Sequence, residues 1–409
     1  MNPWKGLADL SSRVWILCAC TLVNRMGTMA FPFLSLFLVQ GCRWTPQAAS
    51  TAMLVYGAGS ILSAPLWGKV ADRMGHARML SLSLWGSGAF LMAIPFAPSR
   101  VLLLVAIFLW AVLTQAFGPS SMALLTDLAP PEQRRAVFAL HRLVTNLGLA
   151  LGPAMGGIIA FYGYRWVFWT DGVTTLVSAV LLMLWFVPGD LPSESGEPME
   201  GHHGTGAWRD RKFLYLLLGF FPGLLVFSQT GGVLPLWVVN NLGFTPRFFG
   251  LIFTLNTVMI VLLEVALNLA TAHWPHRRLF VLGSLLFAVG FGLTGLARSH
   301  AGLLGTVVIW TFGEMIMLPA SSDAVALLAP PHRRGEYMGL YSFIIALGTA
   351  LGPWVGILIY AHAGPAAVWA GCGVAGGASA ILLSGCRLTV RNPSSRSSFA
   401  DPSKAKVCR

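Results

Sequence analysis

Charge is scarce in this sequence: of 409 residues only 10% are Asp, Glu, Lys or Arg, while 56% are hydrophobic. That balance excludes an ordinary water-soluble globular chain, in which about a quarter of the residues are charged. Cysteine is sparse too. The six present, Cys18, Cys20, Cys42, Cys372, Cys386 and Cys408, show no paired ligand spacing, and most lie in or beside apolar runs. They read as small apolar side chains rather than metal ligands. His202 and His203 have no third ligand at fixed spacing, so no metal site is expected there. No Gly-x-x-x-x-Gly-Lys-Ser/Thr string occurs, which argues against ATP as an energy source, and no cofactor is expected. The net charge of +12 comes from scattered basic residues rather than one basic face, which argues against a nucleic-acid partner. A continuous polar pore lining of the kind an ion channel needs is also missing.

What the chain has instead is apolar length. Stretches of about 20 residues, enough to cross a bilayer as a helix, recur from end to end. Twelve are expected, beginning near residues 13, 48, 79, 101, 137, 166, 213, 248, 279, 302, 338 and 366. The first continues well past signal-peptide length without a cleavage pattern, so it is expected to be retained. Most connections between spans are short, which makes neighbouring helices antiparallel. Twenty Lys and Arg fall in loops on the side of the termini, five fall in the opposite loops (Arg43, Arg100, Arg165, Arg247 and Arg298), and Arg25 and Arg142 lie inside spans. By the positive-inside rule this bias places both termini in the cytoplasm and requires an even number of spans.

The one long polar insertion, about 188–212, divides the chain near its midpoint. A shift of 200 positions exposes a repeat: Ala129-Pro130-Pro131 falls on Ala329-Pro330-Pro331, Arg134 on Arg334, and Ala150-Leu151-Gly152-Pro153 on Ala350-Leu351-Gly352-Pro353. Between Leu128 and Ala160, 14 of 33 positions match their partners. The expected organisation is an all-α integral membrane protein with an N-terminal six-helix half at 1–187, a cytoplasmic linker at 188–212, a C-terminal half at 213–387 and a disordered cytoplasmic tail at 388–409. Six spans per copy give both halves the same orientation, hence parallel repeats about an axis along the membrane normal, a site near the midplane, and alternating access.

Three motifs add chemistry. The loop after the second span reads Gly68-Lys69-Val70-Ala71-Asp72-Arg73-Met74-Gly75-His76-Ala77-Arg78. Its glycines permit a tight turn, and its charges suit helix ends at a membrane face. The fifth span carries Gly148-x-x-x-Gly152-Pro153-x-x-Gly156-Gly157, small residues spaced so that two helix backbones can approach. The tenth span and its following loop run Thr311-Phe312-Gly313-Glu314 through Pro319 to Arg334-Gly335-Glu336-Tyr337-Met338-Gly339.

Together these strings resemble the major facilitator superfamily, and within it the twelve-helix drug:proton antiporter branch of multidrug exporters. The resemblance implies two pseudo-symmetric six-helix bundles. It makes Gly68, Asp72, Arg73, Gly75 and Arg78 a latch loop on the cytoplasmic side, and Gly148, Gly152, Pro153, Gly156 and Gly157 the antiporter motif associated with export. By position it gives Glu314 a part in proton coupling. The second-half counterpart of the loop, 268–278, has Ala272 where Asp72 stands. The branch's arginine between Trp110 and Pro119 and an acid before Pro235 are absent.

An ionised side chain near a helix centre costs about 2.5 to 3.5 kcal/mol on insertion scales, so each one needs a reason. Glu264, Glu314 and Arg25 lie about a dozen residues from their helix ends and are the candidate coupling and substrate residues. The structural alternative pairs one of the glutamates with Arg25. Asn24, Asn256 and Gln229 are expected to add hydrogen bonds, either joining helices or touching cargo. Asp127 and Arg142 are expected to partner the Asp72-Arg73 loop, Asp171 to cap a helix or pair with Arg165, and Asp323 to satisfy backbone freed by Pro319. The resulting expectation is proton-coupled efflux of small amphipathic organic molecules by a monomer in a bacterial inner membrane, with a proton gradient as the energy source and no enzymatic chemistry. The alternative, prompted by Arg25, is a dedicated exporter of an anionic or zwitterionic metabolite such as a siderophore. Uptake and a non-transporting sensor are weaker readings.

Overall fold

The computed structural model describes residues 10–130, 133–185, 206–330 and 333–386, apart from the side chains at 64–66, 68, 69, 71–73, 134–136, 139, 334 and 335. The structure is built of helices, with no strand among the described residues. We label its long rods α1 (Ser12–Gly41), α2 (Pro46–Met74), α3 (His76–Phe96), α4 (Arg100–Leu128), α5 (Arg134–Ala160), α6 (Tyr164–Trp185), α7 (Arg211–Asn241), α8 (Pro246–Thr271), α9 (His276–Thr294) and α10 (His300–Leu328). The last helical stretch, Arg334–Ser384, is broken at Gly364, whose φ of 79° lies in the left-handed region that glycine tolerates. It therefore forms two rods, α11 (334–363) and α12 (365–384), which makes twelve among the described residues.

Local sequence explains the boundaries. Ser99 Oγ accepts from the Leu102 N–H at the start of α4, and Ser299 Oγ accepts from the Gly302 N–H at the start of α10. Thr45 and Thr245 cap α2 and α8 in the same way, each ahead of a proline at the first helical position. The 200-residue offset thus holds in the backbone as well as in the sequence. It extends to the loops, where Gly243 has φ 69° and its counterpart Arg43 has φ 56°. Both α1 and α7 close with a π-helical turn, Phe37–Gly41 and Trp237–Asn241.

The core lies within each half and along the seam between them. Trp110 and Trp310, again related by the offset, are buried to 3% and 2% exposure. Outward-facing apolar side chains such as Val101, Leu262, Leu269 and Val374 remain strongly exposed, a girdle that only lipid can cover. The chain is a multi-pass membrane protein.

The halves meet through α2 against α11 and α5 against α8. The face from which α1 departs carries most of the basic loops and is called here the basic face. On the opposite face the halves close where Gln40 donates its amide to Asn240 Oδ1; within each half, Tyr164 OH donates to Gln40 Oε1 and Tyr360 OH to Asn241 Oδ1, both at 2.7 Å. Phe33 and Phe249 meet edge to face just inside this seal, with centroids 5.1 Å apart. Near the basic face the halves diverge around a cavity.

The linker needs a partial correction. Residues 186–205 and the expected tail at 388–409 lie outside the described residues, but 206–212 are docked rather than simply solvated. The Ala207 N–H donates to Glu336 Oε1 at 2.7 Å, and Tyr337 OH donates to Asp210 Oδ2 at 2.8 Å. Asp210 also caps α7 through the N–H groups of Lys212 and Phe213.

Candidate functional site: a cavity between the halves

The inter-half cavity has a volume of about 790 Å³ and is walled by α1, α5, α8 and α10. Its walls are mostly apolar, with Phe31, Leu149, Phe253, Ile260, Met315 and Leu318 among them, and two carboxylates line it. A volume of this size, with apolar surface broken by polar side chains, suits a small amphipathic molecule.

Glu314 sits halfway along α10. Its Oε2 accepts from Asn256 Nδ2 of α8 at 2.8 Å, and the same amide donates to Thr311 Oγ1 at 3.1 Å, one turn before Glu314. Among the described residues no cation stands in ion-pair range of Glu314. Glu264 lies two turns beyond Asn256 on the same face of α8, roughly 12 Å closer to the basic face. It accepts from Arg142 Nη2 of α5 at 2.8 Å, an ion pair that links the halves across the cavity. The Arg142 side chain is 67% exposed against 13% for Glu264, so the cavity is open at this level. Sequence reasoning placed Arg142 with the Asp72-Arg73 loop. The correction is that its guanidinium crosses to Glu264, because α5 and α8 pack side by side and present these two charges to one cavity.

Arg25 does not join the glutamates, and neither pairs with it. It lies in a smaller cavity of about 50 Å³ inside the N-terminal half, which shares Thr28 and Phe31 with the larger one. Its guanidinium stacks over Phe117, 4.9 Å from the ring centroid, and its Nε is sealed from solvent without an acceptor. Asp171 lines the same small cavity and is 5% exposed. Neither Arg165 nor the end of its own helix is what Asp171 serves. Its Oδ2 accepts from the N–H groups of Met29 and Ala30 at 3.2 and 2.9 Å, capping the second segment of α1 where that helix breaks at Thr28. Asn24 Nδ2 donates to Thr175 Oγ1, and Gln229 Nε2 to the Gly352 carbonyl, so both tie helices together within a half.

The glycine series of α5 lies on two faces. A Cβ at Gly148 would overlap Arg25, one at Gly152 would lie 3.1 Å from the carbonyl oxygens of Arg25 and Thr28, and one at Gly156 would lie 2.8 Å from Met29 Cβ. These three let α5 rest on the broken α1. Gly157 points elsewhere, and a Cβ there would be 2.7 Å from the Pro246 carbonyl and 3.0 Å from Gly250 Cα on α8. Pro153 lies inside α5, where it leaves one carbonyl without its helical partner.

In the latch loop, Gly75 has φ 84° and separates α2 from α3, while Arg78 is exposed. The side chains of Gly68, Asp72 and Arg73 lie outside the described residues. Asp127 stands 4.0 Å from His76 Nε2 and so belongs to this loop's surroundings. In the second half His276, the counterpart of His76, contacts Asp323 at 2.8 Å. Asp323 therefore serves a neighbouring helix start rather than backbone freed by Pro319. The residues that sequence reasoning missed are Gln40 and Asn240. Both are amides at the 200-residue offset, a signal present in the repeat. Among the described residues no group of three or more His, Cys, Asp or Glu converges on a metal-sized space.

Twelve helices among the described residues, arranged as two repeats around a central cavity, are the architecture of a membrane transporter. The Major Facilitator Superfamily profile matches residues 17–245 and 216–407, and the chain belongs to that family. It is 25% identical over 367 residues to the uncharacterized MFS-type transporter YqjV of Bacillus subtilis, with 87% of each chain covered. It is 24% identical to the Na(+), Li(+), K(+)/H(+) antiporter of Planococcus maritimus, covering 81% of this chain and 85% of that protein. It is 27% identical to the multidrug resistance protein MdtH of Edwardsiella ictaluri, covering 84% and 85%. Among solved structures, a mutant of the peptide transporter POT superposes with a TM-score of 0.77 at 16% identity, covering 94% of this chain and 97% of that one. The inward-open xylose transporter XylE of E. coli superposes with a TM-score of 0.71 at 13% identity, covering 91% and 95%.

Proposed function

We propose that this transporter is a proton-coupled exporter of small amphipathic organic molecules in a bacterial inner membrane, with the basic face in the cytoplasm. The observation that carries the reading is Glu314, a carboxylate set midway along α10 in a largely apolar cavity and held by an amide rather than by a cation. Such a group can carry a proton in one conformation and face a cationic cargo in another, because desolvation penalises its charged form until a partner arrives. The described conformation is sealed opposite the basic face, so cargo enters from the cytoplasm. Rocking of the halves breaks the Gln40–Asn240 contact and exposes Glu314 to the far side. There a proton displaces the cargo and returns on the carboxyl group. The name of one relative, a cation/proton antiporter, supports proton exchange, and that of another, a multidrug resistance protein, supports a drug-like cargo. No bond is made or broken in the cargo.

The test is Glu314→Gln in inverted membrane vesicles energised by a pH gradient. Gradient-driven accumulation of an amphipathic amine is expected to fall at least tenfold while downhill exchange of the same amine persists. Full gradient-driven accumulation by the variant would refute the coupling role.

A further inference from the structure

We infer that the small cavity around Arg25 is an anion subsite of the transport site, so that the cargo carries a carboxylate-sized anionic group in addition to the cationic group that faces Glu314. The inference rests on the efflux reading above and names the substrate class. Arg25 and Thr114 line this cavity, and Arg25 Nε and Thr114 Oγ1 are covered and lack a hydrogen-bond partner. A guanidinium can be desolvated at tolerable cost only when acceptors replace its water. Here one face is met by the Phe117 ring, and the available carboxylate, Asp171, has Oδ2 committed to two backbone N–H groups and Oδ1 3.5 Å from Thr175 Oγ1. No ion pair within 4.0 Å joins Asp171 to Arg25. The cavity, at about 50 Å³, exceeds the roughly 10–15 Å³ of accessible volume that one water needs.

The repeat shows why this place is a subsite rather than a packing flaw. Thr114 is the counterpart of Glu314, Tyr56 of Asn256, and Trp110 of Trp310 at the 200-residue offset. The acidic site in the C-terminal half and the Arg25 cavity in the N-terminal half are therefore the same place in two copies of one bundle, one holding Glu314 and the other Arg25 beside a backbone-capping Asp171. Phe31 stands between them. Like Thr28 it lines both cavities, and it packs on Tyr56 with centroids 4.6 Å apart.

The experiment uses three matched probes on the full chain in proteoliposomes: phenethylamine, 3-phenylpropionate and phenylalanine. Each is followed by thermal stabilisation of the protein and by substrate-induced proton movement. Phenylalanine is expected to stabilise the wild type more than either singly charged probe. Arg25→Gln should weaken phenylalanine binding at least tenfold while leaving phenethylamine within twofold, and Arg25→Lys should recover part of the loss. Thr114→Val, which keeps Arg25 and its packing, should weaken phenylalanine selectively if Arg25→Gln fails to fold. A wild type that binds the amine and moves protons with it but ignores phenylalanine overturns the subsite and leaves the efflux reading standing. Loss of all probes equally in Arg25→Gln and Thr114→Val also overturns it. A wild type silent to all three probes in both readouts overturns both.

Discussion

Arg142 and Glu264 pair at 2.8 Å across the seam between two six-helix bundles, one from α5 and one from α8, at a level where the cavity is open to water. The pair lies between Glu314 and the basic face, so any cargo from that side passes it. Arg142 is thus a tethered cation resting on an acid of the cargo path. Charge reversal tests this. Arg142→Glu and Glu264→Arg alone are each expected to lower transport about tenfold, and the double reversal to regain most of it, because coupled residues show interaction energies of about 0.5 to 3 kcal/mol. Equal transport by the single and double variants would deny the pair a role.

The seal on the opposite face predicts a conformational trap. Cysteines replacing Gln40 and Asn240, in a background without the native cysteines, are expected to cross-link with a short bifunctional reagent and to stop transport, with recovery once the linker is cleaved. Undiminished transport by the cross-linked protein would mean that this contact does not open.

Gly157 should be intolerant for a reason different from Gly148. Gly157→Leu places atoms where the Pro246 carbonyl and Gly250 already lie, so the opposite face cannot close, and overpacking of this kind costs about 1 to 3 kcal/mol. Accessibility of Cys substituted at Asn240 to a membrane-impermeant maleimide should rise severalfold in this variant. Gly148→Leu acts within the N-terminal half, against Arg25, and is expected to lower thermal stability without raising that accessibility.

Asp171 predicts a stability effect separable from transport. Asp171→Leu removes the acceptor for two buried N–H groups and is expected to cost on the order of 2 to 4 kcal/mol, while Asp171→Asn keeps one acceptor oxygen and should cost about half as much. The shift in melting temperature of the purified protein checks the order of the two variants. Equal shifts would show that the cap does not hold the break in α1.

Helix number, the two halves and the packing role of the α5 glycines were legible in the sequence, because apolar length and a repeat at constant offset are one-dimensional signals. So was the mid-helix position of Glu314, whereas its bond to Asn256 was not, because Asn256 was marked only as joining helices or touching cargo. The partners of Arg142, Asp171 and Asp323 were not. Each lies on a different helix, and nothing along the chain says which neighbour a bundle will set beside it. Arg142 was assigned by its nearness to the basic face, whereas α5–α8 packing decided its partner. Asp171 was assigned from its nearness to an outer loop, whereas the break in α1 supplied two unsatisfied N–H groups deeper in. Arg25 was placed at the right depth, but not beside Phe117 and away from both glutamates, since depth is readable from a hydropathy profile and azimuth is not.

Gln40 and Asn240 touch although they occupy the same position in two copies of one unit, and Gly57 of α2 meets Ala350 of α11 much as Gly157 of α5 meets Gly250 of α8. This is the geometry of an isologous dimer, in which a residue near the axis meets its own copy. A dimer of identical half-length chains could offer a cargo only two identical ends. Joined in one polypeptide, the copies were free to diverge at Arg25 and Leu225 and at Thr114 and Glu314. A fused chain, unlike a symmetric dimer, can therefore present different chemistry at the two ends of one cavity.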